Sequence, residues 1–143
     1  GLVNDFYFTD EFVKDLYKAN IKAGVDYMEF GYKADKEMFD VDKFGKWKFC
    51  NDDDIRAVVG DNDSDLKIAV MADVGRCNYK KDIAPKSESP VDLIRVATYL
   101  NTIPAAIDMK QHVISWQFQQ ARKAILKLHS ICLENHLQKY FTS

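Results

Sequence analysis

Cysteine, proline and glycine are all scarce in this chain of 143 residues, at three, three and six residues. Cys50, Cys77 and Cys132 are odd in number, far apart and free of any CxxC spacing, which argues against a disulfide framework and a zinc ribbon and leaves reduced thiols. No apolar run approaches the roughly 20 residues of a membrane span, and Gly1 to Phe8 shows neither the basic nor the apolar region of a signal peptide, so the expected address is the cytoplasm. An excess of one charge is missing too. Twenty basic residues face 22 acidic ones for a net charge of -2, which gives no footing for nucleic acid or an anionic membrane. No Walker loop, GxGxxG or GxSxG occurs. What is present is 47% hydrophobic and 29% charged residues, the balance of a soluble globular domain with a real core.

The order of local signals predicts an α/β fold with a parallel sheet. Thr9 followed by Asp10 and Glu11 has the form of a helix N-cap with acids at the positive end of the dipole; Phe12, Leu16, Ala19 and Ala23 recur at helical spacing, and Gly24 supplies the stop. Val25 to Gly31 is then a short β-prone run, which makes the order helix, glycine, strand. After a polar stretch from Tyr32 to Lys48, the pattern repeats. Asn51 with Asp52, Asp53 and Asp54 opens a helix through Val59 that ends at Gly60, and Leu66 to Ala72 is a nearly continuous apolar strand closed by Asp73. Val74 to Pro90, with Gly75, Pro85 and Pro90, reads as a long loop where a helix would normally stand. Val91 to Thr98 is a third β-type run, and Ile103 to Ile107 begins another helix with Pro104 in its first turn. Beyond Met109, Gln, Lys and His dominate, no strand signal follows, and one helical pattern covers His112 to Lys139. The chain therefore divides into an α/β part, 1–109, and an atypical helical tail, 110–143.

In parallel α/β architectures the site lies at the carboxyl ends of the strands. The polar residues there are Glu29, Lys33, Asp73, Arg76, Arg95 and Thr98. Glu29 and Arg95 interrupt apolar runs, where an unpaired charge is costly, so they are expected to pair with each other, with a ligand or within a metal-bound network; a plain ion pair between strands is the alternative. Asp73 serves equally well as a turn or helix cap, and Lys33 and Arg76 fit solvated loop charges. His129 and His136, seven apart with Glu134 between, fit a solvated helical face better than a metal pair, and Asp52 to Asp54 fits helix capping rather than a calcium loop.

The run Gly24-Val25-Asp26-Tyr27-Met28-Glu29-Phe30-Gly31 resembles the second strand of HMG-CoA lyase-like aldolases, and Ile94-Arg95-Val96-Ala97-Thr98 resembles the fourth strand of 4-hydroxy-2-oxovalerate aldolases in the same superfamily. Gly1 to Phe6 is similar to the segment that follows the family's first-strand Arg-Asp-Gly signature. Together the three matches cover about residues 1–109 in the family's order. The resemblance implies a partial (β/α)₈ TIM barrel, about three parallel strands corresponding to units 2 to 4, from an enzyme that makes or breaks C–C bonds of 2-oxo acid or acyl-CoA type substrates. It implies catalytic roles for Glu29 and Arg95, with Asn4, Asp73 and Thr98 near the substrate. In the family a divalent metal, Mg²⁺ or Mn²⁺, polarises the enolate from a first-strand aspartate, a His-x-His pair and often an asparagine. This chain has no His-x-His and starts after the signature, so no tightly bound metal and no activity of the chain alone are expected, together with self-association through open sheet edges.

Where the family continues with a fifth strand, this chain has Trp116-Gln117-Phe118 and a Gln, Lys and His run, which a shift of reading frame explains. The shifted frame turns Trp116 into alanine within a permitted Met-Ala-Ile-Ser strand and allows Ile-Phe-Tyr across Lys139 to Phe141. The competing expectation is a small self-contained α/β protein that binds a partner through its tail helix. A complete enzyme of another small α/β type, such as a flavodoxin-like one, is disfavoured by the missing phosphate loops.

Overall fold

A computed structural model describes residues 7–118 and 127–130. Asn4, Cys132, Glu134, His136 and most of the proposed shifted frame lie outside the described residues.

Helix α1 (Asp10–Lys22) starts where the sequence places its cap: the Thr9 hydroxyl accepts from Phe12 N at 3.3 Å. Its Val13 and Tyr17 are buried while Phe12 and Leu16 are exposed. The chain turns through Gly24 into β1 (Tyr27–Tyr32). The polar stretch that follows is ordered: α2 (Val41–Phe44) is capped by Asp40, and a 3₁₀ turn (Lys46–Lys48) comes after it. Between them Gly45 has φ +71, a backbone conformation that favours glycine; a Cβ there would lie 2.7 Å from the ring of the exposed Tyr7, which would have to swing aside. Helix α3 (Asp52–Val59) leads to β2 (Lys67–Asp73); the short α4 (Tyr79–Asp82) interrupts the expected loop; β3 (Leu93–Thr98) follows, then α5 (Ile103–Phe118) and β4 (Lys127–Ser130). Strand β3 starts two residues later than the apolar run because Asp92 is used as a side-chain cap: its carboxylate accepts from Ile68 N at 2.9 Å.

The sheet has the order β1-β2-β3-β4, and all three pairings are parallel. The fourth strand corrects the expectation of an all-helical tail. The tail's periodicity fits a helix, but the open backbone edge of β3 takes up Lys127–Ser130 in parallel register, with Val96 opposite Leu128. Each crossover moves one strand in the same direction, so right-handed connections place the intervening helices on one side of the sheet.

That side holds the core. Met28, Phe30, Ile68, Val70, Ala72, Ile94 and Val96 alternate onto it and meet Tyr17, Ile55, Val58, Ala106, Met109 and Val113 from the helices. Phe30 sits between Tyr17 and Trp47 at centroid distances of 6.0 and 5.9 Å. Each fully buried aliphatic side chain here contributes about 1.5–3 kcal/mol. Helix α5 runs without a break past Met109, and Val113 is fully buried with the rest of the core.

The opposite side carries Glu29, Ala69, Met71, Asp73, Leu93, Arg95 and Ala97, as the registers require. A register shift between Glu29 and Tyr32 puts Tyr32 opposite Met71, so the tyrosine joins this side although simple alternation would turn it to the helices.

Candidate functional site

Glu29 and Arg95 come together. Arg95 Nε and Nη2 donate to Glu29 Oε2 and Oε1, each at 2.7 Å. The residues stand on β1 and β3, two strands apart, and the middle strand offers Ala69 opposite Glu29 and Met71 opposite Arg95. A small residue at 69 leaves room for the pair to close over β2. Hydrogen bonding to Glu29 raises the Arg95 pKa, so the guanidinium stays charged at any working pH. The pair borders a groove of about 320 Å³ lined by Phe8, Phe12 and Leu16.

Asp73 ends β2 on the same side of the sheet as this pair. Its side chain is 12% exposed, with Arg76 Nη1 at 3.6 Å from Oδ2. Burial raises its pKa, against the opposing pull of Arg76 and Lys48. Its Oδ1 is buried and has no hydrogen-bond partner among the described residues. Around it lies a cleft of about 280 Å³, walled by Tyr32, Phe39 and Phe44 and carrying Lys33, Lys48 and Arg76.

The two loop cations separate. Arg76 is exposed, as a solvated loop charge should be, although it turns toward Asp73. Lys33 is not: it is 4% exposed and ion-paired with Asp52. Thus Asp52, which the sequence offers as a helix-capping acid, also neutralises a buried lysine at the end of β1.

Thr98 is buried and shares the strand side of Ile94 and Val96. Its hydroxyl lies 2.9 Å from that of Thr102, so it supports the turn into α5, away from Glu29 and Asp73. Residues missed from sequence are Tyr32 and Lys48. Lys48 lies over the rings of Tyr32, Phe39 and Phe44 at 5.0, 4.8 and 5.1 Å, and no carboxylate among the described residues pairs with it. The available signal was the density of aromatic residues through the polar stretch from Tyr32 to Lys48.

Cys50 and Cys77 are free. Burial pushes both thiols up, Cys77 to about 12, so neither is a thiolate nucleophile at neutral pH. Among the described residues no three His, Cys, Asp or Glu side chains converge to hold a metal ion. The described residues alone do not fit the divalent ion implied by the resemblance.

Comparison of the chain with protein-family models, curated proteins and solved structures finds no match.

Proposed function

We propose that this chain forms consecutive β/α units of a (β/α)₈-barrel aldolase or lyase acting on C–C bonds of 2-oxo acid or acyl-CoA type substrates. The observation that carries the proposal is the Glu29–Arg95 pair on the side of a sequentially ordered parallel sheet opposite its helices. Doubly wound folds reverse strand order and bury the sheet under helices on both sides, whereas a barrel keeps sequential order with every helix outside. In a barrel the Glu29 and Arg95 side would be the interior. Cleavage of a C–C bond beside a carbonyl leaves negative charge on the carbonyl oxygen. A charged guanidinium held by a bidentate carboxylate is a preorganised donor for that oxygen, and Glu29 fixes its orientation. Small-molecule substrate is the partner this chemistry needs.

A self-contained α/β protein remains the second reading, favoured by the burial of Met109 and Val113 of α5 in the core. Sequencing the DNA on either side of the coding segment separates the two. The barrel proposal expects an upstream strand ending in Arg-Asp-Gly and a downstream His-x-His in one continuous or once-shifted frame. Flanks that encode neither would remove it.

A further inference from the structure

We propose that the cleft at the carboxyl ends of β1 and β2 binds a small hydroxycarboxylate, its carboxylate between Lys48 and Arg76 and its hydroxyl donating to Asp73. The inference stands on the cleft itself and not on the barrel proposal.

Three observations carry it. First, Lys48 is held by three aromatic rings and makes no direct ion pair among the described residues; Asp73, the carboxylate that shares its cleft, is the one engaged by Arg76, so a positioned cation lines the cleft without a carboxylate of its own. Lys33 differs, since Asp52 already neutralises it. Second, Asp73 Oδ1 is buried in the same cleft and accepts no hydrogen bond from the described residues. A buried acceptor in that state needs a donor, and a ligand hydroxyl supplies one. Third, the charges select the ligand. Lys48 and Arg76 against Asp73 leave one uncompensated positive charge, which matches a monoanion rather than a zwitterion, and the Asp73 carboxylate repels a phosphate dianion. Phe39 and Phe44 offer apolar wall to a short carbon skeleton. A volume of about 280 Å³ matches roughly nine water molecules, enough for a compact acid.

The test is a titration of the 143-residue chain with lactate, followed by amide NMR shifts and by equilibrium dialysis of radiolabelled lactate, which reads binding whatever the association state. Propionate removes the hydroxyl, lactamide removes the charge, alanine replaces the hydroxyl by an ammonium, and inorganic phosphate tests an anion site alone. Lactate should bind saturably and shift the amides of residues 32–34 and 73–76. Propionate, lactamide and alanine should each bind about tenfold more weakly or worse. Lys48→Met and Arg76→Met should each weaken lactate by about tenfold or more at unchanged circular dichroism, and Asp73→Ala should lower lactate to the level of propionate. Arg76 is exposed, so its variant keeps the test open even where Lys48→Met disturbs the aromatic cluster. No saturable lactate binding, equal binding of propionate, binding of phosphate alone, or unchanged affinity in Arg76→Met would each overturn the proposal.

Discussion

Arg95 reaches from β3 across β2 to grip both carboxylate oxygens of Glu29 on β1, at 2.7 Å each. The contact ties together two strands that share no backbone hydrogen bonds, and it does so on the side of the sheet away from the helices. Both side chains are partly exposed, 26% and 36%, which moderates their contribution to stability.

Arg95→Ala should therefore cost about 1–2 kcal/mol of folding stability, since a bidentate pair exceeds a simple surface pair while solvent still screens it. A urea-denaturation cycle with Glu29→Gln and the double variant measures the coupling. Additive effects, with no coupling, would show that the pair forms without stabilising the fold.

The acidic run in α3 should split sharply. Asp52 neutralises buried Lys33, whereas Asp53 is 96% exposed and pairs with Arg56 on the surface. Asp52→Ala should cost about 3–5 kcal/mol by stranding a buried cation, and Asp53→Ala about 0.5 kcal/mol or less. Thermal melts of the two variants give the comparison. Equal losses would contradict the assignment.

Much of this was legible in the sequence, for a physical reason. Glu29 and Arg95 stand out because charges inside apolar strands must find partners, and the alternation of helix, glycine and strand fixes parallel pairing. Tyr32 was hidden by the shift of register after Glu29, which alternation cannot see. Lys48 was hidden in a stretch where any lysine looks solvated until three rings fold around it. Thr98 stands at a strand end, where a site is expected, while its even spacing from Ile94 and Val96 places it on the helix-packed side of β3. Strand β4 left no signal because Lys127 to Ser130 suits helix and strand alike, and the edge of β3 decides.

Stability should fall as pH rises above the ordinary aspartate range. Burial is the first cause of the raised pKa of both Asp73 and Asp82; a neighbouring Asp35 adds to the second. A carboxyl with a raised folded pKa holds its proton more tightly folded than unfolded. The resulting stability is complete below the unfolded value and is lost as pH climbs through the folded one. Asp73→Asn combined with Asp82→Asn should flatten the urea midpoint across that window and raise it at neutral pH. A double variant that loses stability at neutral pH, with its pH slope intact, would count against burial as the cause.

The central claim is a barrel aldolase whose interior contains Arg95, and metal-dependent release of pyruvate from a 4-hydroxy-2-oxo acid tests it most directly. The assay, coupled to NADH oxidation with Mg²⁺ or Mn²⁺ present, compares this chain with the same chain joined to the Arg-Asp-Gly and His-x-His barrel units that the proposal expects the flanking DNA to encode. Turnover is expected from the joined enzyme and not from the chain alone. Arg95→Ala in the joined enzyme should lower kcat by about 100-fold, as for loss of one oxyanion donor, while its folding loss stays near that of the isolated pair. Pyruvate release by the chain alone, or a joined enzyme indifferent to Arg95→Ala, would contradict the claim.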